Sequence, residues 1–231
     1  MKRLRLLAGF LLVLSVCSGQ TAYEWRGGDP NGIPKWYMGR QIAHVMSHFG
    51  ISWLERPERQ EEEDFEQLLQ NMGLREGMQV ADIGAGSGFH SSRMARRIGS
   101  GTVFAVDIEP AMLAFIERRV AREKLKNVRT VLSDTVRVPL PAGTIDLALL
   151  VDVYHEMSHP REMLQSMYSM LKPGGRIFLV EYRAEDPNVP IKAVHKMTEA
   201  QAVREFAAGG FTLEKNIGNL PWQHCMVFRK K

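Results

Sequence analysis

The chain is predicted to fold as an α/β protein built on a doubly wound, mostly parallel sheet, on three observations. Short β-branched runs alternate with helical patterns from residue 78 onward; a glycine-rich bend follows the first of those strands; and carboxylates stand at the ends of successive strands. Strands are expected near 79 to 83, 102 to 106, 128 to 132, 146 to 151 and 175 to 182, with helices between them. Met112, Phe115, Ile116 and Val120 form the buried face of one such helix. Arg118, Arg119, Arg122 and Lys124 near its carboxyl end suit the helix dipole and need no ligand. A helix over 198 to 208 stops at Gly209-Gly210, and two further strands follow at 211 to 216 and 224 to 229.

The 231 residues are 45% hydrophobic and 24% charged, which suits one sizeable core and excludes a disordered or collagenous chain. Met1 to Arg5 is basic, Leu6 to Val16 is uncharged and mostly apolar, and Cys17-Ser18-Gly19 are small, the layout of a signal peptide over residues 1–19. Export to the periplasm or beyond is therefore expected. Lipid anchoring through Cys17, or a cytoplasmic protein with a mis-assigned start codon, are the alternatives. Removing Lys2, Arg3 and Arg5 takes the net charge from +4 to +1, so nucleic acid is not an expected partner. Of the two cysteines only Cys225 would remain, which precludes an intramolecular disulfide. No later apolar run is long enough to span a membrane.

Residues 20–73 read as an exposed lead-in, to about residue 34, followed by an N-terminal helical lid. Ile42, Val45, Met46 and Phe49 have the spacing of one helix face, and Phe65, Leu68, Leu69 and Met72 repeat it. The acidic run Glu61-Glu62-Glu63-Asp64 is expected as a solvated face in the first half of that second helix. The main domain is expected over 74–231.

The bend Asp82-Ile83-Gly84-Ala85-Gly86-Ser87-Gly88 lets a ligand approach the backbone without a Cβ in the way. Phe89 stands where the dinucleotide fingerprint wants its last glycine, and Asp82 suits an ammonium or sulfonium better than a pyrophosphate. Asp107, 23 residues after Gly84, can accept two ribose hydroxyls, and Ser133-Asp134-Thr135 can hold a base edge. Taken singly, each aspartate is equally a capping or turn residue.

In this combination, with Leu171-Lys172-Pro173-Gly174-Gly175 before the fifth strand, the sequence resembles class I S-adenosylmethionine-dependent methyltransferases from about residue 74 on. The resemblance implies a Rossmann-like seven-stranded sheet with an antiparallel last strand and S-adenosylmethionine as cofactor. It implies Gly84, Ala85, Gly86 and Gly88 along the methionine end, with Asp82 near its ammonium. It puts Asp107 on ribose, Ile108 on adenine, Asp134 and Thr135 at the base edge, and Asp152 beside the cofactor.

His155-Glu156-Met157-Ser158-His159 matches the zinc-hydrolase pattern H-E-x-x-H, which works only on a continuous helix. Pro160 and the preceding strand argue against one, so no metal is expected there. In the methyltransferase reading Asp152 to Glu156 form the reaction wall, with His155 and Glu156 as catalytic candidates; a structural histidine with Glu156 at a helix end is the other reading. Candidates to meet a small-molecule acceptor are Tyr37, Arg40, Glu181-Tyr182-Arg183, His195-Lys196-Met197 and Trp222-Gln223-His224. A non-catalytic binder of the same cofactor is the alternative function, with a zinc hydrolase using the His155-Glu156-x-x-His159 match as the less favoured one.

Overall fold

The computed structural model describes residues 22–230, so the expected leader at 1–19, with Cys17, lies outside them. The strands are β1 Tyr23–Trp25, β2 Gly32–Tyr37, β3 Arg40–Ala43, β4 Gln79–Ile83, β5 Thr102–Asp107, β6 Val128–Leu132, β7 Ile145–Val151, β8 Leu171–Tyr182, β9 Phe211–Asn216 and β10 Gln223–Lys230. The α-helices are α1 Ile51–Leu54, α2 Arg59–Glu63, α3 Phe65–Met72, α4 Phe89–Ile98, α5 Pro110–Arg122, α6 Pro160–Met170 and α7 Glu199–Ala208.

Seven strands form one sheet in the order β6-β5-β4-β7-β8-β10-β9. The pairs from β6 to β8 are parallel, and β10 runs antiparallel to both its neighbours. The expected sheet and its reversed last strand are therefore present. Residues two apart share a face, so Val80, Val103, Leu147, Leu149, Phe178 and Val180 pack under α3 and α4, and Ala105 continues that face under α5. Ala148, Leu150, Ile177 and Leu179 point the other way, onto α6 and α7. Apolar runs on both faces are what a central parallel sheet demands, and each fully buried leucine or isoleucine contributes ~1.5–3 kcal/mol.

The amino-terminal region departs from the expected helical lid. Residues 40 to 43 form β3, which pairs with β2 across Met38 and Gly39, both at positive φ as a two-residue hairpin turn requires. Ile42 is buried there, whereas Val45, Met46 and Phe49 are exposed, so their spacing marked no helix packed on a core. Only α3 keeps its expected register. Asp64 breaks the acidic run: it adopts left-handed geometry, ends α2 and caps α3 by accepting the Gln67 N–H at 3.1 Å. Glu63, expected to be solvated, is buried between Arg56 and Arg59.

Candidate active site

The carboxyl ends of β4, β5, β6, β7 and β8 converge on a cavity of about 530 Å³. A parallel sheet leaves its ligand crevice at this edge, where the chain reverses direction on either side of the first strand. Gly84, Gly86, Asp107, Ile108, Asp134, Thr135, Asp152, His155 and Glu156 all line this one cavity. Residues drawn from four strand ends and spread over 73 positions of sequence thus meet in one place.

The backbone bend is tight. Gly84 and Gly86 have φ of +69° and +54°; a Cβ on Gly84 would lie 2.3 Å from the Val153 side chain, and one on Gly86 2.8 Å from Leu54. Asp107 braces the bend: Oδ2 accepts the Gly86 N–H and Oδ1 the Glu109 N–H, each at 2.9 Å. Burial raises its pKa despite these N–H donors. Asp134 Oδ1 accepts the N–H groups of Val136 and Arg137 at 2.8 and 2.6 Å, so one oxygen makes a turn and the other remains for a ligand.

Asp82, Ala85 and Gly88 are not on the cavity wall. Asp82 is buried beneath the bend, where its Oδ2 accepts the Ser91 hydroxyl at 2.5 Å; burial raises its pKa to about 6. Ala85 packs with Leu113 and Ile116, and Gly88 precedes α4 against Ile116. These residues shape the bend from behind.

Asp152 follows β7 in left-handed geometry, φ 49°. Gln223 Nε2 donates to its Oδ2 at 2.6 Å, while Oδ1 is buried with no partner. Burial, then the nearby Glu63 and Glu181 carboxylates, hold its pKa well above the ordinary range. An orphaned carboxylate oxygen on the wall of a cavity fits a cationic donor, and the methionine ammonium of S-adenosylmethionine is such a group.

The reaction wall is a short 3-10 turn, Tyr154–Glu156. Glu181, fully buried on β8, takes His155 Nδ1 at 2.6 Å and the His155 N–H at 3.2 Å through its two oxygens. Burial opposes the imidazolium, but Glu181 outweighs it and raises the His155 pKa. His155 Nε2 faces His195 Nδ1 at 3.1 Å. Burial and then His155 bring His195 down to about 4, and burial lifts Glu156 to about 7.

The H-E-x-x-H geometry is absent. Met157 is extended and His159 has φ −132°, so the two histidines do not share a helix face; His159 instead precedes α6 with Nδ1 on the Ser158 hydroxyl at 3.0 Å. Most acceptor candidates also lie off the wall. Tyr37 is buried beside Tyr23, and Arg40 forms a bidentate pair with Glu205 at 2.8 and 2.9 Å while donating to the His155 carbonyl at 3.0 Å. Lys196 Nζ donates to the Asp186 carbonyl, half-buried Trp222 accepts the Arg183 N–H on its own carbonyl, and His224 sits between Glu185 and Asn216. Arg40 and Glu181 nevertheless form the layer behind His155. Tyr182 and His195 are the flanking candidates that do reach the cavity.

Sequence reasoning missed Arg56, Arg59 and Glu63 on the same wall. Arg59 Nε donates to Glu63 Oε2 at 2.6 Å, four residues along one helix, and that spacing was the available signal. Glu55 ties this segment to the bend by accepting from Ser87 Oγ and from Arg119 on α5.

A family model described as a methyltransferase domain matches residues 80–175, the span from β4 into β8. Over that span, less than half of the chain, the sequence is similar to methyltransferase domains. It is similar to two ubiquinone/menaquinone biosynthesis C-methyltransferases named UbiE. That of Idiomarina loihiensis is 35% identical over 117 residues, and that of Pasteurella multocida 33% over 117. Each match covers 48% of this chain but only 45% and 42% of the relative, so the chain spans less than half the length of either. A solved S-adenosylmethionine-dependent methyltransferase from Aquifex aeolicus superposes with a TM-score of 0.76 at 24% identity, over 81% of this chain and all of that one. That likeness shows the shared fold.

Proposed function

We propose that the protein methylates a small-molecule acceptor in the cavity at the carboxyl edge of its sheet. The observation that carries this is the convergence on one cavity of the glycine bend, Asp107, the partnerless Asp152 oxygen and the His155–Glu156 wall. S-adenosylmethionine supplies a methyl carbon already activated by sulfonium, so the protein's part is mainly alignment and, where needed, proton removal.

Asp107 is the acceptor for ribose hydroxyls, Ile108 an apolar surface for adenine, and Asp134 with Thr135 the base edge. Asp152 receives the ammonium, and the Arg59 guanidinium on the same wall offers a counter-charge for the carboxylate at that end. The apolar side chains of Val45, Met46, Trp53 and Met157 on this wall suit an acceptor with a hydrophobic body. The likeness to C-methyltransferases favours methylation at carbon, which requires a proton to leave the acceptor; His155, oriented by Glu181, and Glu156 are the wall groups able to take it. The signal-peptide layout of residues 1–19 motivates a separate proposal, export, which mass spectrometry of the mature amino terminus tests.

Isothermal titration with S-adenosylmethionine and S-adenosylhomocysteine tests binding, and a methyl-donor turnover assay on hydrophobic phenols, quinols and enols tests catalysis. One-to-one binding with turnover is expected. Binding without turnover on any acceptor favours the non-catalytic alternative, and no binding overturns the proposal.

A further inference from the structure

His155, Glu156 and His195 are more than an acid–base group, because their ligand atoms converge on a single point. His155 Nε2 is 3.1 Å from His195 Nδ1 and 3.9 Å from Glu156 Oε1, and all three atoms lie within 4.8 Å of one another. Two ligands each about 2.0–2.1 Å from a metal at tetrahedral to octahedral angles stand roughly 2.9–3.4 Å apart, so the histidine pair is already at bonding separation and the carboxylate needs only a small rotation. The imidazole planes cross at 90° with centroids 5.1 Å apart, so neither ring covers the other's nitrogen.

The surroundings match a metal ligand set. Glu181 accepts the His155 Nδ1–H at 2.6 Å, which leaves the Nε2 lone pair for the cavity; a carboxylate behind a ligating histidine is the usual outer support. A shared proton would satisfy the two facing nitrogens, but it would not require the third donor, Glu156, against the same Nε2. All three residues line the cavity, which leaves open positions for water or an acceptor oxygen. Two cationic side chains stand nearby and both are engaged: Arg40 pairs with Glu205 and donates to the His155 carbonyl at 3.0 Å, and Lys192 is tethered to Asn31 Oδ1 at 2.8 Å.

We propose that His155 Nε2, His195 Nδ1 and the Glu156 carboxylate bind one divalent transition-metal ion of the zinc class. Two imidazoles and a carboxylate select that class over magnesium or calcium, which take all-oxygen sites. The site differs from the H-E-x-x-H match, because His195, 40 residues away in sequence, replaces His159. The inference does not rest on the methyltransferase reading. If both hold, the ion would polarise an oxygen of the acceptor.

The test is titration of Zn²⁺ into chelator-treated full-length protein by calorimetry, with Co²⁺ titration followed by visible absorption. One equivalent is expected, with a Co²⁺ spectrum of a nitrogen- and oxygen-ligated ion. His195→Ala and Glu156→Gln should each weaken Zn²⁺ binding at least about 10-fold, while His159→Ala leaves it unchanged. Circular dichroism monitors folding, and the wild-type Co²⁺ spectrum needs no variant. No stoichiometric binding by folded wild-type protein, undiminished binding in His195→Ala, or loss in His159→Ala would overturn the proposal. Titration with S-adenosylmethionine on the same samples separates the two ideas, since metal binding can fail while cofactor binding persists, and the reverse.

Discussion

Replacing Asp107 with alanine removes two things at once. The carboxylate holds the Gly86 and Glu109 N–H groups at 2.9 Å each, and it lines the cavity at the end of β5. A hydrogen bond to a charged acceptor contributes ~1.5–3 kcal/mol, so losing the ribose contact should raise the Kd for S-adenosylmethionine about 10- to 140-fold. The two stranded N–H groups add a stability cost of ~1 kcal/mol each, about 4–8 °C in melting temperature for a domain of this size. Asp107→Asn keeps one acceptor oxygen and should fall between wild type and alanine on both measures. Calorimetric titration and thermal melts read the two effects separately. A folded Asp107→Ala protein that binds the cofactor within threefold of wild type would refute the ribose assignment.

Three further outcomes follow from the geometry. Asp82 has a folded pKa of about 6 against 3.8 unfolded, so the folded state holds its proton more tightly; that stabilisation is complete below pH 3.8 and lost as pH rises through 6. Asp82→Asn should flatten this window in pH-dependent melts and stabilise the protein above pH 6 by up to ~3 kcal/mol, with little change in cofactor affinity because the side chain lies behind the wall; a large affinity loss would restore it to the ammonium contact. Gly84→Ala forces a Cβ into Val153 at positive φ, and a loss of ~1–3 kcal/mol together with weakened cofactor binding is expected; a neutral melt would show that the bend relaxes freely. Arg40→Met leaves the fully buried Glu205 carboxylate unpaired and should cost ~3–5 kcal/mol, whereas adding Glu205→Met should recover most of it in chemical denaturation; no recovery would mean that Arg40 acts through the His155 carbonyl instead.

The sheet was legible because its signal is local and strong. Apolar runs buried on both faces, separated by helix patterns, leave little freedom in where these strands lie, although β8 starts at Leu171, four residues before its expected beginning, because Pro173 and the two glycines hid its first residues. The amino-terminal region was not legible, because four apolar residues at helical spacing also fit a strand followed by exposed side chains. Pairing with β2 decided between those readings, and no local pattern encodes it. The acidic run failed because composition says solvent, whereas Glu63 pairs with Arg56 and Arg59 on its own segment and accepts from the Tyr182 hydroxyl on distant β8, which buries it.

By itself, the sequence determined the doubly wound class, the bend Gly84–Gly88 and the aspartates at strand ends, since each follows from backbone sterics and from the direction of parallel strands. Only the tertiary structure decided which side of the bend Asp82 occupies, that Arg40 and Glu181 stand behind His155 and not in the cavity, and that His195 faces His155 in place of His159. Those are contacts between distant segments, fixed by how layers pack and by which buried charges can find partners. Spacing along a chain carries no direct information about either.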